Sequence, residues 1–131
     1  MQQRRVLAIL ALVSVVVTAH GVAAQSLTPH IPGWERFFTV NWEPMERRGK
    51  PYLSGYIVSS YGVTATRVQL LVDSLDAAGQ TVAQNVEWLG GGNLPGFSRT
   101  YFEVPVRERA SSYRVSVFAF DFVQSAQIQS P

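Results

Sequence analysis

Thr66-Arg67-Val68-Gln69-Leu70-Leu71-Val72-Asp73-Ser74-Leu75, followed at once by Asp76-Ala77-Ala78-Gly79 and then by Gln80 to Leu89, decides the fold class. Val68, Leu70 and Val72 alternate with Arg67, Gln69 and Asp73, and a period of two sorts side chains onto opposite faces of a strand. The Asp that opens the next four residues can accept backbone N–H bonds, and the Gly that closes them tolerates the exit geometry of a type I turn. Gln80 to Leu89 returns with weaker alternation, so the whole stretch reads as a β-hairpin.

The same grammar extends in both directions. Upstream, Arg36 to Trp42 alternates Phe38, Val40 and Trp42 against Phe37, Thr39 and Asn41, and Tyr52 to Ser60 follows as a second strand. Downstream, Arg99 to Val106 sets Phe102, Val104 and Val106 against Glu103 and Pro105, and Tyr113 to Val123 closes the series. Pro105 lacks a backbone donor, which places its segment at a sheet edge or at a strand end. In Leu94-Pro95-Gly96-Phe97 the Pro fixes φ and Gly96 is expected to carry the positive φ of a type II turn. No stretch between these strands has a helical period. The expectation is an all-β chain of about six to seven antiparallel strands, folded as a two-sheet sandwich because a single sheet would leave one apolar face wet. A small barrel is the alternative.

Ahead of the strands lies a segment of different character. Arg4 and Arg5 precede the apolar run Val6 to Ala19, and Val22-Ala23-Ala24 supplies small residues of the kind signal peptidase accepts. The run is 14 residues long, short of the roughly 20 that a spanning helix needs. Residues 1–24 are therefore read as a Sec signal peptide cleaved near Ala24, residues 25–35 as a lead segment, 36–123 as the sandwich and 124–131 as a tail. Export to the periplasm or the cell exterior follows, with no membrane attachment after cleavage.

Charge and residue inventory exclude several functions. The chain has 11 Lys+Arg and 9 Asp+Glu; removing Arg4 and Arg5 leaves nine of each sign, so no nucleic-acid footprint is expected. The one dense basic cluster, Arg47, Arg48 and Lys50, reads as a solvated hairpin loop. Cysteine is absent, and the remaining 107 residues must hold together by packing, which a domain of this size can do. His30 is the one histidine after the signal segment, too few for a triad partner in a Ser-His-Asp arrangement near the strands or for a zinc site. Asp73 and Asp76 read as an outward strand residue and a turn opener. No cofactor, metal or catalytic residue is expected.

Leu53-Ser54-Gly55-Tyr56-Ile57-Val58-Ser59-Ser60-Tyr61-Gly62, Val68 to Val72, Leu75-Asp76-Ala77-Ala78-Gly79-Gln80-Thr81-Val82, Leu94-Pro95-Gly96 and Phe102 together resemble FxLYD-type domains. Val72-Asp73-Ser74-Leu75-Asp76 stands where that family has its naming motif and keeps the final acid. The resemblance implies an immunoglobulin-like or fibronectin-III-like antiparallel sandwich of an exported bacterial protein, and it implies no catalytic residues.

Function is expected on the surface. Strict alternation in the last strand puts Tyr113, Val115, Val117 and Ala119 on one face and Phe118, Phe120 and Phe122 on the other. A sandwich strand normally shows one polar face to water, so the three phenylalanines are expected either to be covered by Trp34, Phe37 and the lead segment or to meet another envelope protein or a second copy of the chain. These readings describe a noncatalytic interaction or structural module of the cell envelope. A small-ligand or glycan-binding platform on Trp88 and the Gly90 to Phe97 loop is the alternative, with Trp88 as a strand-end core residue if it is not.

Overall fold

The central hairpin forms where the alternation places it. Strand β3 (Ala65–Leu75) and strand β4 (Thr81–Trp88) pair antiparallel, and the connecting turn closes on Asp76, whose Oδ1 accepts from the N–H groups of Ala78 and Gln80 at 2.9 Å each. The computed structural model describes residues 26–124. The expected signal segment and residues 125–131 of the tail lie outside the described residues.

Six antiparallel strands build two three-stranded sheets. Strands β1 (Phe38–Arg47), β2 (Lys50–Ser59) and β5 (Arg99–Pro105) form one sheet in the order β1-β2-β5. Strand β6 (Ser112–Phe122) joins the other, ordered β4-β3-β6. One short 3-10 turn, Trp34–Arg36, precedes β1. β1 runs five residues past its expected end at Trp42, through Pro44, because it is an edge strand and a missing donor on its open side costs nothing. Pro105 ends β5, the opposite edge of the same sheet, so it stands both at a sheet edge and at a strand end, the two places expected for it.

The core lies between the sheets. Phe38, Leu53, Ile57, Val68, Leu70, Val72, Phe102, Val104, Val115 and Val117 are all buried in it. The alternation read in β1, β3 and β5 is therefore kept. At the open seam between β1 and β6, the Trp42 indole N–H donates to the Tyr113 carbonyl at 3.1 Å and ties the two sheets.

The last strand departs from strict alternation. Leu70 pairs with Val117 but Gln69 pairs with Ala119, so Phe118 is an extra residue in β6. Such a bulge shifts every following side chain to the other face. Phe120 and Phe122 therefore join Val115 and Val117 on the core side instead of opposing them. A second irregularity, between Thr66 and Gln69, restores the count on β3 and leaves Arg67 at φ +54°.

The lead segment covers the outside of the β4-β3-β6 sheet. The Gln84 side chain on β4 bonds the backbone of Leu27 at both its N–H (2.8 Å) and its C=O (3.0 Å). On β6, the His30 N–H donates to the Phe118 carbonyl at 2.8 Å and its ring lies 4.2 Å from the Phe118 ring. Leu71 and Asp73, on the outer face of β3, are buried as a result. Asp73 accepts from Gln84 at 2.7 Å and from Arg114 at 2.8 and 2.9 Å, so its carboxylate is satisfied beneath the strap.

Candidate functional site

The expected aromatic patch on β6 does not form. Phe118 is buried under His30, Phe120 is buried against Phe38 with centroids 4.8 Å apart, and Phe122 packs on Phe37 and Tyr61 at 5.1 and 4.9 Å. Phe120 and Phe122 leave the outward face because of the bulge, Phe118 stays outside beneath His30, and the chain itself covers all three. Phe37 takes part in this cover, as expected, while Trp34 packs against the core at the β1–β6 seam.

Exposed apolar surface gathers instead at the end of the sandwich where β2 turns into β3 and β4 into β5. Phe97 is 77% exposed and Trp88 59%, the largest values for any large apolar side chain among the described residues. Trp88 stands at the end of β4 opposite Gln69, facing outward; its expected place as a core residue is corrected, and Leu89 fills the core beside it. Tyr61, whose carbonyl accepts from the Phe97 N–H, and Val123, whose N–H donates to the Thr64 carbonyl, are also exposed.

This end is braced, not loose. The Phe97 N–H donates to the Tyr61 carbonyl at 3.0 Å, Leu94 and Ala65 exchange two backbone bonds at 2.8 and 2.9 Å, and the Ser98 hydroxyl closes on the Pro95 carbonyl at 2.6 Å. Pro95 to Ser98 is a turn with Gly96 and Phe97 at its centre. The residue with positive φ is Phe97, at +54°, and not Gly96 as the sequence pattern suggested. Glycine is needed at 96 for a different reason: a Cβ there would overlap the backbone of Gly62. The two loops touch through this glycine pair, and the Phe97 ring lies against Gly62, where a Cβ would meet it at 3.0 Å.

A bulky side chain at φ > 0 is a conformational outlier, and a left-handed residue costs roughly 1–2 kcal/mol. Burial of the ring does not offset that cost, because most of the ring is in water. Chemically the surface offers apolar rings and the Tyr61 phenol, which suits binding. His30, Asp73 and Asp76 all have structural employment: His30 pins the strap, Asp73 anchors Arg114 and Gln84, and Asp76 builds its turn.

A second polar surface lies on the outside of the β1-β2-β5 sheet. Tyr56 and Tyr101 are cross-strand neighbours with centroids 5.4 Å apart, and Arg99 sits 4.8 Å above the Tyr56 ring. Glu103 accepts from both guanidinium nitrogens of Arg47, at 3.1 and 3.2 Å, and from the Tyr101 hydroxyl at 2.9 Å. Those bonds, first from Arg47 and then from Tyr101, hold the Glu103 carboxyl below the usual carboxylate range. No pattern in the sequence separated these residues from ordinary outward strand positions, since cross-strand register brings them together.

No protein-family model, curated protein or solved structure matches this chain. Among the described residues no helix is long and apolar enough to cross a membrane.

Proposed function

We propose that this chain is an exported, noncatalytic interaction module of the immunoglobulin-like type, akin to FxLYD-type domains, that docks a partner protein through the β2–β3 and β4–β5 loops with Phe97 as the anchor. One observation carries the reading: Phe97 is held at positive φ by a braced loop and is 77% exposed. Interface hot spots are aromatic side chains that fill a partner's pocket, and recognition loops cluster at one end of immunoglobulin sandwiches. The strand orders β1-β2-β5 and β4-β3-β6 support the immunoglobulin-like assignment, since they follow A-B-E and C′-C-F in that fold. Export by a signal peptide ending near Ala24 supplies the envelope setting, and N-terminal sequencing of the mature protein would show Gln25 first.

The exposure of Trp88 favours a second reading, a glycan platform at the same end of the molecule. One experiment separates the two. A photo-crosslinking amino acid placed at position 97, with position 82 on β4 as control, is irradiated in envelope extract, and the Trp fluorescence of the wild type is followed across a glycan panel. A single protein adduct specific to position 97 is the expected result. Fluorescence quenching by glycans without an adduct transfers the function to the second reading. Neither response sinks both.

A further inference from the structure

The opposite end of β2 holds a site of different chemistry. Arg48 and Gly49 form the two-residue turn between β1 and β2, both with positive φ, +52° and +74°. Turns of this kind take Asn, Asp or Gly at their first position because a Cβ and a long side chain are disfavoured there. The chain nevertheless keeps an arginine at that position.

Arg48 stands with Arg47, Lys50, Pro51, Tyr52, Glu103, Val104 and Pro105 around a cleft of about 430 Å³. Arg47 and the turn backbone are held before any ligand arrives. Arg47 is held by both oxygens of Glu103 and lies 4.6 Å over the Tyr52 ring. The turn itself is braced from outside, because Arg109 pairs with Glu46 and donates to the Gly49 carbonyl at 3.2 Å. Two prolines and a tyrosine give the cleft stiff apolar walls.

Its charge is unbalanced. Three cations and one carboxylate line it, which leaves two positive charges. None of the ion pairs among the described residues involves Arg48 or Lys50.

We infer that this cleft binds a phosphate monoester borne on a ring-shaped or other apolar body. A dianion neutralises the two unbalanced charges, where a carboxylate would leave one. Arg48 and Lys50 supply charge-assisted donors to the phosphoryl oxygens, and the Tyr52 and proline walls take the body of the ligand. The site lies at the other end of the molecule from Phe97 and does not depend on the docking reading.

The test is titration of the mature chain with phenyl phosphate, and with benzoate for comparison, followed by calorimetry. The partner variant is Arg48→Asn combined with Lys50→Gln. Asn is at home at positive φ, so this variant keeps or improves the turn and its melting temperature certifies the fold. Expected is saturable phenyl phosphate binding at or below about 1 mM, at least about tenfold weaker for benzoate and for the variant. No saturable binding, equal affinity for benzoate, or an unchanged affinity in the folded variant overturns the site. Vesicles of phosphatidylcholine with and without phosphatidic acid settle the source. Recruitment by phosphatidic acid that the variant loses assigns the site to a lipid headgroup, and phenyl phosphate binding without recruitment assigns it to a free phosphorylated ligand.

Discussion

The side-chain amide of Gln84 bonds Leu27 on both its N–H and its C=O, 57 residues away in the chain, and so holds the lead segment as an extended strand would. The same amide donates to buried Asp73. Replacing Gln84 with Ala removes three hydrogen bonds at once and uncovers a carboxylate. We expect a loss of about 1–3 kcal/mol in stability, read by denaturant unfolding, together with faster amide exchange at residues 27–31. Unchanged exchange there would show that the strap is held by other contacts.

Gly55 is required by the path of β1. A Cβ at this position would overlap the Asn41 carbonyl oxygen and meet the Trp42 Cα at 2.9 Å, both of them backbone atoms that cannot rotate away. Asn41 crosses close enough for its side chain to accept from the Tyr56 N–H at 3.0 Å. Gly55→Ala should cost more than about 3 kcal/mol or abolish folding, while Gly90→Ala, with open space around it, should stay within about 0.5 kcal/mol of wild type. Thermal melts of the two side by side check this.

Phe97 is kept at a cost to stability. Phe97→Asn substitutes a residue that tolerates positive φ, and little buried area is lost. The melting temperature should hold or rise, with a gain of up to about 1 kcal/mol, while docking at that end is lost. A clear drop in stability would mean that the ring is a structural part of the loop.

The pair Arg47–Glu103 sets a pH window. The Glu103 carboxyl is lowered in the folded state by Arg47 and then Tyr101, so its contribution is complete above the unfolded value of about 4.3 and is lost as pH falls through the lower folded value. Tyr101 moves the other way: its hydrogen bond to Glu103 and then its burial raise the phenol. Its neutral form is favoured, and that contribution is present below about pH 10 and is lost as pH rises through the raised folded value. Carboxyl NMR should show Glu103 titrating below the ordinary glutamate range, and Glu103→Gln should return the Tyr101 phenol toward its ordinary range.

The sequence by itself determined the local structure. Alternation in β1, β3 and β5, the Asp76 turn and the placement of Pro105 follow from short-range sterics and hydrogen bonding, which neighbouring residues settle among themselves. The six strands were therefore legible in number and order, although β1 runs on to Arg47 and the turn at Pro95 takes another geometry than the one expected. What it could not determine were the features created by contact between distant segments. The Phe118 bulge turned Phe120 and Phe122 from the outward face to the core side and left Phe118 outside beneath His30, because a single extra residue in a ladder is fixed by the partner strand and not by the strand's own pattern. Glycine is needed at position 96 because the backbone of Gly62, from a distant loop, lies where a Cβ there would project, and the positive φ falls on Phe97 instead. Only the tertiary structure left one sheet strapped by the lead segment and the other open, since that choice rests on whether a side chain 57 residues away is placed to hold the strap.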